Sequence, residues 1–138
     1  MSGFNDRIIA EFRAGGGVVE TAGFGSSLVL LHTVGARTGV ERVSPVLAIP
    51  DDGGWLVIAS AAGSPSHPAW YFNLRANPDA SIEVGTETVL VSGADVDPAE
   101  YETHWAKFTD RSPGFDEYKS RAGGRVLPIV RLTVRGES

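Results

Sequence analysis

The 138-residue chain contains no cysteine. Disulfide cross-links, thiolate metal centres and cysteine nucleophiles are therefore excluded. Positive charge is also scarce: 12 Lys and Arg stand against 17 Asp and Glu, a net charge of −5. That balance argues against a general nucleic-acid or anionic-membrane surface, yet it leaves room for a local basic pocket. No apolar run approaches the roughly 18 residues of a membrane span, and the N-terminus lacks a signal-peptide pattern, so the expected compartment is cytoplasmic. Internal repeats and low-complexity linkers are missing. His32, His67 and His104 are scattered, none at a ligand spacing with a second His or a carboxylate. Each is expected to pair with backbone or solvent, and no metal is expected. A G-x-S-x-G elbow is absent as well, so Ser60 reads as a hydroxyl in a pocket wall rather than a hydrolase nucleophile.

What is present reads as one domain over residues 1–138, of mixed but mainly β composition. Phe4, Ile8, Ile9 and Phe12 recur at helical spacing, with Asn5 as a cap and Gly15-Gly16-Gly17 as the stop. This N-terminal helix, within residues 1–16, is expected to pack on or near the body of the protein; partner or peripheral membrane contact stays open. Leu28 to His32 and Glu41 to Ile49 read as strands, the second carrying Pro45, which belongs at an edge or bulge. Asp51-Asp52-Gly53-Gly54 makes a hairpin turn into a strand over Trp55 to Ala59. Two more strands, Ala80 to Val84 and Glu87 to Val96, flank Gly85-Thr86. Asp97 caps a helix whose apolar face is Tyr101, Trp105 and Phe108; a short helix over Phe115 to Arg121 and a last strand over Val126 to Val134 follow. About six mostly antiparallel strands with peripheral helices make a small barrel the economical architecture.

Two stretches carry chemistry. Trp55 to Pro78 reads as strand, small-residue loop and short aromatic helix: Pro68 suits the helix's first turn, and Asn77-Pro78 ends it. A flat ligand could lie over the small side chains of that loop. The second stretch is Gly35-Ala36-Arg37-Thr38-Gly39, which matches neither a Walker loop nor a Rossmann fingerprint. Glycine-flanked backbone N–H groups beside Arg37, Thr38 and the nearby Arg42 can hold an anion, although a plain polar hairpin turn would use the same residues.

In combination, GARTG (35–39), ERVSP (41–45), IASAAG (58–63), HPAWYFNLRANP (67–78) and FDEYKSRAGGRVLP (115–128) resemble the deazaflavin-dependent nitroreductase family. These are class A proteins of the split β-barrel flavin/deazaflavin superfamily that bind coenzyme F420, and the resemblance covers nearly the whole chain. It implies that Arg37, Thr38, Arg42, Val43, Ser44 and Pro45 hold the acidic tail of the deazaflavin. Ile58, Ala59, Ser60 and Ala61 would line its ring, and Ala69, Trp70, Tyr71 and Asn73 would complete the pocket. Tyr118, with Phe115 a helical turn earlier, would roof the substrate cavity; Ser60 or Tyr118 would donate or relay a proton. The implied activity is F420H2-dependent hydride transfer to an electron-poor small molecule such as an enone, quinone or nitroaromatic.

Three departures from the family pattern bear on this. Ala61 stands where the family often has a lysine, so a tail contact is either missing or taken over by Arg37, Arg42 or Arg7. The late helix keeps Tyr118 but has Ser112 and Phe115 where relatives active on bulky nitro compounds have tyrosines. Gly123-Gly124 before Arg125 adds a residue to the usual spacing. Alternatives are an FMN-dependent oxidoreductase on the same barrel, or a non-catalytic protein that carries cofactor or lipid. A monomer and a homodimer are both compatible with the sequence, and no nucleic-acid partner is expected.

Overall fold

A computed structural model describes residues 4–21, 25–26, 28–51, 53–59, 68–111 and 127–135. Short turns set the strand order. Asp51 pairs with Gly54 across a two-residue turn in which Gly53 takes φ +81°, a left-handed value that glycine adopts without steric cost. Val84 and Glu87 pair in the same way around Gly85, at φ +59°. The strands so formed are β1 (Leu28–Val34), β2 (Glu41–Asp51), β3 (Gly54–Ile58), β4 (Asp79–Val84), β5 (Glu87–Asp95) and β6 (Ile129–Val134). They close into an antiparallel barrel in the order β1-β2-β3-β6-β5-β4, with β4 returning to β1. The six-stranded barrel expected from the sequence is therefore the observed one.

The closure is uneven along β2. Its residues Glu41 to Leu47 pair with β1, whereas pairing with β3 involves Ala48 to Asp51. Pro45 sits opposite Leu30 in the half with a strand partner on one side, the local edge at which a missing N–H is tolerated.

Alternation of side chains sorts three apolar clusters. Val29, Leu31, Val46, Ala48, Val57, Ala80, Ile82, Val91, Val130 and Leu132 come from all six strands and fill the barrel. The opposite faces of β1 and β2 present Leu28, Leu30 and Val43 to α1 (Phe4–Ala14), which buries Ile8 and Phe12. Because α1 starts at Phe4, Asn5 lies inside its first turn rather than at the expected cap. The outer faces of β3 and β6 offer Leu56, Ile58 and Ile129 to Trp105 and Phe108 of α3 (Tyr101–Arg111). Asp97 caps the 3-10 turn that leads into α3, accepting from the Ala99 N–H at 2.9 Å. The short helix expected over Phe115 to Arg121 lies outside the described residues.

A second helix between strands, α2 (Ala69–Ala76), adds Trp70, Tyr71 and Leu74 to the barrel cluster. Pro68 precedes it with ψ 153°, so the proline is the capping residue and not the first helical one, a shift of one position from the sequence reading. Leu74 reaches the barrel because β5 has glycine at 93. A Cβ there would stand 2.7 Å from Leu74 Cδ2 and 2.9 Å from its Cγ. Gly93→Ala should therefore push Leu74 off its seat and cost about 1–3 kcal/mol, read as a lower urea midpoint with an unchanged slope.

Tyr101 gives the fold a pH signature. Its hydroxyl donates to the Leu127 carbonyl at 2.6 Å; burial, helped by the Glu102 carboxylate, pushes its pKa up to about 12. An unfolded tyrosine ionises near pH 10. The unfolded chain thus loses this proton first, and the contribution to stability is complete below about pH 10 and drains as pH rises towards 12. Tyr101→Phe should lack the latest phenolate step in a 295 nm titration and show a shallower alkaline loss of stability.

Candidate active site

The six-residue loop between Val34 and Glu41 folds on itself. The Gly35 N–H donates to the Val40 carbonyl at 2.8 Å, and the Gly39 N–H donates to the Gly35 carbonyl at 3.0 Å. The Val40 N–H donates to Thr38 Oγ1 at 3.2 Å. Gly39 holds φ +71°, and a Cβ on Gly35 would stand 2.6 Å from Thr38 Oγ1, so both glycines are dictated by the turn.

Asn73 fastens this turn to α2. Its Oδ1 accepts from the Ala36 N–H at 3.0 Å while its Nδ2 donates to Thr33 Oγ1 at 3.3 Å. Asn73 and Thr33 are both buried, so both ends of the amide are engaged where water cannot substitute cheaply.

Between turn and helix lies a surface cavity of about 580 Å³, walled by Gly35, Ala36, Arg37, Thr38 and Arg42 on one side and Ala69, Phe72 and Asn73 on the other. Salt bridges engage only some of the cations among the described residues, and Arg7, Arg75 and Arg111 have none there. Arg13 pairs with Glu83 at 2.7 Å, Lys107 and Arg131 with Asp51 at 2.9 and 3.0 Å, and Arg135 with Asp79 at 3.7 Å. Arg37 and Arg42 make no ion pair among the described residues, and both are exposed. Two guanidiniums on the walls of one cavity have the chemistry to hold an anion.

The structure thus brings together Arg37, Thr38, Arg42, Ala69 and Asn73 from the sequence-derived set. It sends others elsewhere. Val43 faces α1 and Ile58 lies under α3, both on the outside of the barrel, so neither side chain lines this cavity. Ser44 and Pro45 are half-buried opposite Leu31 and Leu30, further along β2. Ala59 and Trp70 are buried in the barrel cluster. Tyr71 belongs to that cluster too, and its hydroxyl meets both Asp95 carboxylate oxygens at 3.1 Å beside a separate cavity of about 180 Å³. Burial, with Asp95 adding to it, raises the Tyr71 phenol above its ordinary pKa. Ser60, Ala61, Phe115 and Tyr118 lie outside the described residues.

Two histidine expectations also change. His104 is buried, with Nε2 3.5 Å from Glu100 Oε1 and 3.5 Å from Arg131 Nη2. His32 meets carboxylates, not backbone or solvent: Glu41 at 3.1 Å through Nδ1 and Glu83 at 2.6 Å through Nε2. Glu83 is held below the usual carboxylate range, chiefly by its hydrogen bond from Arg13 and then by that from His32. This chain of hydrogen bonds ties α1 to β4, β1 and β2.

Phe72 was absent from the sequence-derived set, yet it is half exposed on the cavity wall. The signal was available. At 100° per residue, Trp70, Tyr71 and Leu74 share one arc of α2, and Phe72 falls opposite it. An aromatic residue on the solvent side of a helix is one that sequence periodicity does not account for.

The family model described as F420H(2)-dependent quinone reductase matches residues 7–134. The chain belongs to that family. The family's F420H(2)-dependent quinone reductase Rv1261c of Mycobacterium tuberculosis is 36% identical over 110 residues, covering 78% of this chain and 73% of the relative. A solved structure titled as an F420-H2 dependent reductase, FDR-A, superposes with a TM-score of 0.69 at 30% identity, covering 77% of this chain and 93% of that one. Another, titled as a domain-swapped dimer, gives 0.71 at 27% identity over 91% and 95% of the two chains. The neighbours share the split-barrel fold.

Asn73→Ala would leave the Thr33 hydroxyl and the Ala36 N–H without the buried amide. The expected cost is about 1–3 kcal/mol of stability, together with weaker anion binding by a turn that is no longer braced. Thermal denaturation and ligand titration of the same variant check both halves. Weaker binding at unchanged stability would show that Asn73 acts on the ligand directly.

Proposed function

We propose that the protein catalyses F420H2-dependent reduction of a quinone-like acceptor, with the acidic tail of the deazaflavin held between Arg37 and Arg42. The observation that carries this reading is the pair of guanidiniums without ion-pair partners among the described residues, in one cavity, on a chain of net charge −5. The residues present fit the group: guanidiniums match phosphate and carboxylate oxygens bidentately, and the turn presents Arg37 with the Thr38 hydroxyl alongside while the start of β2 presents Arg42.

When bound, reduced F420 supplies a hydride, which carries two electrons; with one further proton this converts a quinone to its quinol. The chain's part is to bind, orient and exclude water. Arg37, Thr38 and Arg42 anchor the tail, and Asn73 keeps their turn against α2. Ala59, at the end of β3, carries the chain into the loop assigned to the ring, its N–H fixed by the Pro128 carbonyl at 2.8 Å. Ser60 or Tyr118 is assigned the proton, and Phe115 and Tyr118 the roof.

Among the described residues no helix is long and apolar enough to cross a membrane. The proposal extends to a peripheral membrane contact through α1 and to a monomeric or homodimeric state.

Titration with oxidised F420, followed by its fluorescence, tests the reading. The parent should bind F420 and bind FMN less well. Arg37→Ala with Arg42→Ala should weaken F420 binding about 10- to 150-fold, the loss expected for a charged hydrogen-bonded contact. Parent-like affinity in the double variant would move the tail to another surface.

A further inference from the structure

Phe72 is the feature of this cavity that tail binding does not use. It stands across the cavity from the arginine-bearing turn and half exposes its ring, while Trp70, Tyr71 and Leu74 of the same helix are buried. Ala69, three residues earlier, also lines the cavity and is exposed, so a small side chain lies beside the ring on that flank. Tyr71 meets the Phe72 ring edge-on, with centroids 5.9 Å apart and planes at 64°, which limits how the phenyl can turn. The result is an oriented aromatic face at the outer side of the cavity.

Polar recognition is limited there. The Asn73 side chain is committed at both ends, to Ala36 and to Thr33. Among the described residues, this wall offers a ligand an aromatic face and a methyl group. Exposed apolar area of this kind is recovered by stacking with a flat, electron-poor ring.

We infer that Phe72 is a specificity-determining residue that takes the face of a planar quinone, so that acceptors are selected by ring area. The inference rests on the reading that gives the arginine wall to the cofactor tail. With that wall filled, the half-exposed outer wall is the surface a ligand exchanged in every turnover would meet. Hydride transfer and proton uptake remain as set out above, and Phe72 has no part in either.

The test compares the parent with Phe72→Leu, which keeps an apolar side chain but removes the π face, and with Phe72→Tyr, which restores it. Menadione and 1,4-benzoquinone serve as the bicyclic and monocyclic acceptors. Oxidised F420 affinity is measured on every protein, and menadione binding to the oxidised F420 complex is followed by saturation-transfer NMR. The expected result is a parent that favours menadione. Phe72→Leu should raise the menadione KM and its dissociation constant about 3- to 12-fold, the size of one aromatic contact. The benzoquinone KM should move less, and Phe72→Tyr should return the menadione values towards the parent. Because Phe72 is half exposed, the melting temperatures should agree within about 3 °C.

An unchanged menadione KM in Phe72→Leu would overturn the inference. So would a matching loss of F420 affinity, because the ring would then belong to the cofactor's wall. Failure of the parent itself to bind F420 would sink the cofactor reading, and it would appear in the titration before any quinone is added.

Discussion

A six-stranded barrel encloses so little space that its own side chains fill most of it, and one end still has to be stoppered. Here the stopper is α2. Trp70, Tyr71 and Leu74 complete the apolar filling contributed by all six strands, and Gly93 lets Leu74 approach a strand closely. Everything about the candidate site follows from that seating. A helix bound by one arc to the barrel end must turn its remaining flank outward. In α2 that flank carries Ala69, Phe72 and the link through Asn73 to the turn between β1 and β2. The core and the site are two faces of one eight-residue helix.

This economy couples stability to binding. Asn73 is buried and hydrogen-bonded like a core residue, yet it braces the loop that presents Arg37 and leads into Arg42. The loop would otherwise depend on its own glycine geometry and three short bonds, all between residues five or fewer apart. Preorganisation of that kind lowers the ordering cost paid when an anion binds. The hydrogen-bonded chain Arg13–Glu83–His32–Glu41 does related work where it fixes α1 to three strands.

Much of this was legible in the chain. Turns that need positive φ announced two hairpins; the apolar alternation between them gave the six strands, and an arginine-threonine pair between glycines marked the anion turn. The face a strand residue presents was harder to read. Val43 and Ile58 sit within the stretches that resemble the family's cofactor segments, but alternation turns them outward under α1 and α3. A resemblance assigns stretches, and only the register assigns sides. His32 failed for a related reason: its partners Glu41 and Glu83 come from β2 and β4, and the latter is 51 residues away, beyond any local spacing rule. Phe72 was missed because an aromatic triplet reads as core until the helical period separates its members.

The electrostatics decide what kind of binding the cavity can support. A net charge of −5 gives anions no long-range attraction to this protein, and at physiological ionic strength charges more than about 8 Å apart are largely screened. Capture must then come from short, directional contacts. Two guanidiniums offer these, because each donates in a planar fork that matches phosphate and carboxylate oxygens. If the tail binds where we propose, its affinity rests on geometry at Arg37 and Arg42 rather than on accumulated charge. That places a premium on the rigidity of the turn, and it explains why a buried asparagine, and not another cation, is the residue that holds the site together.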